Sequence, residues 1–558
     1  MKSFVMRIST KYLFWGILFS GVILRFWQLG TIPQGFYSDE ALYGYEAYSL
    51  LKTGNDQFGN HLPLSIAGFG DYRPALSIYA TIPFVALFGL TEFAVRLPSA
   101  LVSAATIPLV YLVIYLLTRK QKIALVGMIL FSISPWSLYF GRMAHETNLM
   151  TFLILLGITF FLRFYKKSFL LAGITAVVLF SSALYTYHTA RIFVPIAFLG
   201  SALIYWKTVR AKWREILICS VIFVICVLPL ISEFQGEALS RVRGISIWND
   251  PGLLAQINEQ RGAALNNGMP IFLAKIIFSK LTLLPLRFTS NFLTHFSSDF
   301  LLTRGDPNGI YNVPNTGILL WIEPLLVVIG FIYIWQQKRE LFWWLLILLF
   351  AALIPDSLTR VVPSSARIHV ALPFVVLLDG VGLYAFVNFI STRTRKLALI
   401  YIVKFTFILL VAINAGWFWQ NYLITLPVQN ARAWQIGVKE MVLQTQALAP
   451  QYQKIWMSRE CWGWIHVVFH TRFDPREFQK TATHSGRNDA GFWWVSDFGK
   501  FHLDWFPAGY QFNEPDTLYV GIPQEFPADT KPLEVIKHPI TQEELYWFVS
   551  GSSKIGRS

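Results

Sequence analysis

Charge is scarce in this sequence. Of 558 residues, 14% are charged, and the 32 acidic residues are outnumbered by 47 basic ones. Cysteine is nearly absent, with three in all. Cys219 and Cys226 share one apolar run and Cys461 stands alone, so the chain carries no disulfide framework and buried free thiols are expected. There is no phosphate-binding glycine loop, no zinc-ligand spacing and no nucleophile elbow. His466 and His470 are spaced i, i+4, but their aromatic surroundings read as a buried strand or helix rather than a metal site. Repeats at solenoid periods and low-complexity tracts are also missing.

Apolar residues fill the space that charge leaves. They make up 54% of the chain, with a mean hydropathy of +0.47, more than a soluble core can absorb. The sequence therefore reads as a polytopic α-helical membrane protein. Aromatics, at 16% with 20 Trp, suit interfacial belts and sugar-stacking surfaces alike. Runs of spanning length fall at 12–30, 97–117, 123–140, 147–165, 168–186, 191–206, 213–231, 316–335, 341–355, 369–390 and 397–418, giving about eleven transmembrane helices. These spans are expected to keep their charges at their ends, with Lys404 as the exception. Lys2, Arg7 and Lys11 before the first run mark an uncleaved signal-anchor.

The run 75–90 is only one short helix long and contains Pro83. The basic connectors Arg119 to Lys122, Lys166-Lys167, Lys207 to Arg214, Lys338-Arg339 and Arg393 to Lys396 share the cytoplasmic side with the N-terminus only if 75–90 does not cross. It is therefore expected to lie along the outer face. The net charge of +15 becomes a topology signal, and no nucleic-acid partner is implied. With this parity the long, chemically varied segments face outward from the cell membrane. They are a first outer loop 31–96, the turns around 142–146 and 185–191, a long segment 232–315, the turn 355–369, and everything after 419. The expected division is a catalytic membrane module, 1–419, and an extracytoplasmic α/β domain, 420–558, of about 140 residues. Within 232–315, the stretch 270–280 reads as an amphipathic helix on the outer leaflet.

The polar residues at outer membrane ends are the candidate site. Asp39, Glu40, Tyr43, Glu46, Asp71, Tyr72 and Arg73 come from the first outer loop. Arg142, His145 and Glu146 come from the next turn, Tyr187, His188 and Arg191 from another, and Arg360, Arg367 and His369 from a fourth. Charges beside spans are costly unless paired or facing a wet cavity, so four such turns on one face suggest a shared site. Two carboxylates with several arginines suit a reaction that expels a phosphate. A carboxylate takes the proton of an attacking hydroxyl or amine, and arginines bind the phosphate bidentately as its charge develops. Such a leaving group needs no general acid, so one base suffices for direct, inverting displacement at a sugar carbon.

Several blocks resemble a known family. They are Asp39-Glu40 after one span, Asp71-Tyr72-Arg73-Pro74-Ala75-Leu76, and Phe88 to Leu101 with its Arg96-Leu97-Pro98-Ser99-Ala100-Leu101. Ser134-Pro135-Trp136 with Arg142 and Glu146, Tyr185 to Pro195, and Gly317 to Gly330 follow. Over roughly 10–420 the chain resembles bacterial dolichyl-phosphate-mannose-protein mannosyltransferases and aminoarabinose transferases, which are membrane glycosyltransferases of GT-C architecture. The resemblance implies transfer of a sugar from a polyprenyl-phosphate donor to a protein, lipid or glycan acceptor on the outer face. It casts Asp39, supported by Glu40, as the base or positioner of the acceptor, and Glu146 as the second acid. Arg73, Arg142, Arg191 and Arg367 would hold the donor phosphate, while Tyr43, Asp71, Tyr72, His145, Tyr187, His188 and His369 would line the substrates. A divalent cation is left open, with Asp39 and Glu146 as its ligands. Two other readings stand beside this one: a lipid-linked-sugar flippase, and a glycan polymerase or ligase using a diphosphate-linked donor.

Overall fold

The computed structural model describes residues 10–69, 71–167, 169–231, 244–394, 397–486 and 493–551. Lys2 and Arg7 of the expected signal-anchor, residues 232–243 of the long outer segment, and Arg395-Lys396 of the last basic connector lie outside the described residues. The chain forms two compact units. One comprises 1–27, 101–141 and 146–421, and the other 28–100, 142–145 and 422–558.

The first unit is helical. Every apolar run of the sequence carries a helix, from Thr10–Phe26 to Leu397–Gln420. Among the described residues, six helices are long and apolar enough to cross a membrane, and seven if the bent pair Gln121–Ile133 and Pro135–Gly141 is one span. That pair turns by 55° because Ser134 is extended (ψ 127°) and Pro135 supplies no N–H to carry the helical ladder through. Leu76–Tyr79 and Ile82–Phe88, the two helices of the run 75–90, are too short to span.

A position at a helix end does not place a charge in water. Arg25, in the last turn of Thr10–Phe26, is fully buried. It donates to Ser103 Oγ (2.7 Å), Ser137 Oγ (2.6 Å) and the Gly21 and Ser132 carbonyls. Glu323 and Asp379 are buried in Glu323–Gln337 and Leu372–Arg393. One charged residue among many aliphatics barely lowers the hydropathy of a window, so neither stood out in the sequence.

The second unit joins residues 28–100 to the C-terminal region, which the expected boundary at 419/420 had separated. The reason is hydrophobic. Helix Ser38–Thr53 buries Ala41, Leu42, Tyr43, Tyr45, Ala47 and Leu50 in one core with Ile455, Trp464, Phe469 and Phe478. It opens with Asp39 and Glu40 in its first turn, where acids suit the helix dipole, and closes at Gly54 in the left-handed conformation (φ 72°). Gly44 lets the chain beneath approach closely, since a Cβ there would meet a Phe469 ring carbon at 2.3 Å. The remainder is a seven-stranded mixed sheet. Its middle strand, Lys454–Met457, runs parallel to Phe501–Leu503 and Thr517–Gly521, and the outer strands pair antiparallel. The expected strand at Thr517–Ile522 is thus present over Thr517–Gly521.

Candidate functional site

In the second unit the acidic pair divides its work. Glu40 is fully buried and accepts from Arg96 twice, Nε at 3.0 Å and Nη2 at 2.8 Å, and from the Ala144 N–H at 2.8 Å. Arg96 spends its remaining donors on the Leu29, Pro33 and Gly35 carbonyls. Burial pushes the Glu40 carboxyl up and the Arg96 guanidinium draws it back down. Glu40 thus fills three of its acceptor positions within the protein. It anchors the first turn of the helix, with Arg96 as the partner the sequence reading missed. Arg96 stood in view, at the head of an apolar run where an unpaired charge is costly.

Asp39 differs. Its Oδ1 accepts from Arg73 Nη2 at 2.8 Å, and its Oδ2 carries no hydrogen bond among the described residues. Its side chain is 22% exposed. Arg73 comes from a short hairpin, Ser65–Ala67 with Tyr72–Pro74, in which it faces Ile66. Its Nε lies 3.7 Å from Asp71 Oδ1 and its guanidinium carbon 5.9 Å from the Tyr43 ring centre. The hairpin therefore brings Asp39, Tyr43, Asp71 and Arg73 together, with Tyr72 on the same strand. Glu46 is buried and bonded to Gln57 through its backbone N–H (3.0 Å) and its side-chain amide. It serves the core rather than the site.

Residues 142–145 also belong to this unit. Arg142 is fully buried and donates to Tyr422 Oη (3.2 Å) and the Ile32 carbonyl (3.1 Å). The Ala144 carbonyl accepts from Tyr37 Oη at 3.4 Å, and His145 is buried beside it. A further network was not foreseen: Ser38 and Gln435 exchange hydrogen bonds, and His466 Nε2 lies 2.6 Å from Gln435 Oε1. His466 and His470 sit on one helix, Gly463–His470, with their rings 5.8 Å apart.

In the first unit Glu146 is buried just before helix Thr147–Lys167. His369 Nδ1 lies 2.9 Å from Thr151 Oγ1, and its ring meets Trp136 and Phe140. Tyr187 is buried, while His188 and Arg191 are half-buried, with Arg191 Nε bonded to the Leu184 carbonyl (3.3 Å). Arg360 is taken up by the Ser246 and Asn249 carbonyls and works as a loop brace. Arg367 Nη1 donates to Asp356 Oδ1 (2.7 Å), Thr359 Oγ1 and the Val361 carbonyl. Asp356 Oδ2 in turn takes His295 Nε2 (2.8 Å) and the Ser364 N–H (2.7 Å). Asp356 and His295 were not predicted, although an acid closing the apolar run 341–355 was the available signal. Nearby, burial pushes the Asp306 carboxyl up to about 6 against the bonds it accepts from Ser365. Among the described residues, no three His, Cys, Asp or Glu form a group able to hold a metal ion.

Comparison with known proteins follows these features. The profile of the dolichyl-phosphate-mannose-protein mannosyltransferase family matches residues 73–232. No curated protein sequence matches the chain. Among solved structures, ArnT from Cupriavidus metallidurans, crystallised with undecaprenyl phosphate, superposes with a TM-score of 0.53 at 11% identity, over 98% of this chain and 100% of that one. The apo form of the same protein gives 0.53 over 97% and 99% at 11% identity. The Archaeoglobus fulgidus oligosaccharyltransferase, in complex with zinc and sulfate, gives 0.52 at 12% identity over 91% and 68%. At such identities the likeness is one of fold, and the fold is the GT-C architecture that the sequence blocks resemble.

Proposed function

We propose that this chain, with the GT-C fold as its starting point, is a membrane glycosyltransferase that moves a sugar from a polyprenyl-phosphate carrier to an acceptor. The observation that carries the reading is the Asp39 side chain, partly exposed and held through one oxygen by Arg73, with no hydrogen bond on the other oxygen among the described residues. Glu40, locked to Arg96, fixes the helix turn from which Asp39 projects.

In the proposed step an acceptor O–H or N–H gives its proton to Asp39 Oδ2 as the acceptor atom attacks the anomeric carbon. The bond from that carbon to the phosphate oxygen breaks, its electron pair leaves with the phosphate, and the anomeric configuration inverts. Arg73 stands one hydrogen bond from the base, where it can also meet the phosphate; Arg142, Arg191 and Arg367 are the further candidates for that charge. Tyr43, Asp71, Tyr72, His145, Tyr187, His188 and His369 are proposed to line donor and acceptor, and Glu146 to act as the second acid. A divalent cation would fall to Asp39 and Glu146. Among the described residues neither acid belongs to a group of three His, Cys, Asp or Glu that could hold a metal ion. The reading also includes about eleven spans, a cytoplasmic N-terminus and an outward-facing site in the cell membrane.

The undecaprenyl phosphate bound by ArnT supports the choice of carrier. The test supplies purified protein with a labelled sugar on undecaprenyl phosphate and, separately, on undecaprenyl diphosphate. Turnover of the monophosphate alone, with an inverted product by NMR, is expected. Turnover of the diphosphate donor alone would replace the reading with that of a polymerase or ligase.

A second reading draws on the buried Glu323 and Asp379 and the helix broken at Ser134–Pro135, features expected of transporters. Movement of lipid-linked sugar across vesicles without any transfer product would favour it.

A further inference from the structure

The last helix of the helical unit is poorly covered. Only 6% of the span Ile400–Gln429 is buried against protein, compared with 67% of its neighbour His369–Arg393. Between them and helix Glu323–Gln337 lies a groove of about 890 Å³, within the range of about 300–1,000 Å³ that holds small-molecule ligands. Most of its length is apolar, lined by Leu325, Ile329 and Phe407 among others. Its polar lining includes Lys122, Asn388, Ser391 and Lys404, with Tyr384 and Thr406. Lys122 lies in the first turn of Gln121–Ile133 and Ser391 in the last turn of Leu372–Arg393. The polar end is thus the end of the bundle that carries the basic connectors, opposite the turn bearing Arg367.

The two lysines differ from their neighbour Lys120. Lys120 donates to Tyr333 Oη (3.2 Å) and lies 4.2 Å from the Tyr384 ring centre. Lys122 and Lys404 have no carboxylate partner among the described residues, and Lys404 has only the Tyr401 ring, 6.0 Å away. Lys404 lies inside the apolar helix Leu397–Gln420, where a lysine is costly unless something anionic meets it, and Lys122 adds a second positive charge from the start of its own helix. A void of this size in a bilayer fills with lipid.

We propose that this groove binds one anionic phospholipid, its phosphate between Lys122 and Lys404 and its acyl chains along the apolar walls. Basic pockets between membrane helices on the cytoplasmic side are suited to such headgroups. A neutral lipid would fill the volume but leave both ammonium groups unmatched. A polyprenyl phosphate that reaches its arginines from the other end would have its charge on the wrong side.

Native mass spectrometry of the detergent-purified full chain tests the assignment, after exposure to equal amounts of phosphatidylglycerol, phosphatidylcholine and undecaprenyl phosphate. The wild type is expected to retain one phosphatidylglycerol. The double variant Lys122→Ala/Lys404→Ala is expected to lose it, with affinity down roughly ten- to thirtyfold for two charges removed. Thr406→Trp, which fills the groove and keeps both lysines, reaches the same end by a different route and covers a double variant that does not fold. Equal retention of phosphatidylcholine, displacement by undecaprenyl phosphate, or undiminished phosphatidylglycerol in Thr406→Trp would overturn the proposal. None of these readings depends on sugar transfer.

Discussion

Glu40, in the first turn of the Ser38–Thr53 helix, and Asp379, early in Leu372–Arg393, are both fully buried carboxylates. Glu40 has two bonds from Arg96 and one from a backbone N–H. Asp379 has no hydrogen-bond partner for either oxygen among the described residues, and Glu323 Oε1 also has none. In the unit that carries Asp39, Glu40 is bonded through both oxygens, whereas Asp39 Oδ2 carries no hydrogen bond among the described residues and the Asp39 side chain is partly exposed. In the helical unit Asp379 has no hydrogen-bond partner among the described residues, and Glu323 has the Leu320 N–H on its second oxygen. Buried charge alone therefore does not identify a catalytic group; the partners do.

Breaking the compensated pair should have the largest effect on stability. Arg96→Ala leaves Glu40 buried without its counter-charge, and is expected to cost about 3–5 kcal/mol in thermal unfolding of the detergent-purified protein. A loss below about 1 kcal/mol would mean that water reaches Glu40 and the enclosure is looser than described. Asp356→Ala is next. It strips Arg367, His295 and the Ser364 N–H of one shared acceptor, with an expected loss of about 3 kcal/mol. If Arg367 holds the donor phosphate, the same variant raises KM for the lipid-linked sugar, an effect that a purely structural role would not produce. Asp379→Leu should act in the opposite direction, because it removes an unsatisfied buried polar group. A gain of about 1–3 kcal/mol is expected, and a loss would show that Asp379 has a partner such as a shared proton or a cation.

The smallest effect is a pH dependence of the second unit. Burial pushes His470 down to about 4 and His466 well below its ordinary value of 6.5. The folded state thus binds fewer protons than the unfolded chain, so stability is complete above pH 6.5 and is lost as pH falls from 6.5 toward 4. A melting temperature that stays flat across that window in wild type, or a slope undiminished in His470→Gln, would contradict this.

Much of the helical unit was legible because each apolar run is local: 12–30 and 397–418 needed only their own residues to be read as helices. The short run 75–90 was legible through charge bookkeeping on connectors far from it. The fate of Glu40 was not, because its partner Arg96 lies 56 positions away and nothing local distinguishes a buried acid from its exposed neighbour Asp39. The association of 28–100 with 422–558 was hidden for the same reason. It rests on contacts such as Phe36 with Phe469, ring centres 4.8 Å apart, whose meeting no periodicity signals. Asp379 was hidden by averaging, as one charge in an aliphatic window. The candidate residues could be picked out by type at the ends of apolar runs, whereas the proposed division between a reacting Asp39 and a bracing Glu40 rests on partners that the sequence does not pair.

That division is the central claim, and turnover of Asp39→Asn with labelled undecaprenyl-phosphate-linked sugar tests it most directly. The amide keeps the size of the side chain and its bond from Arg73 but cannot take a proton. Turnover is expected to fall by about 10²–10⁴-fold with the melting temperature unchanged. Full turnover in a folded Asp39→Asn protein would contradict the assignment of Asp39 as the base.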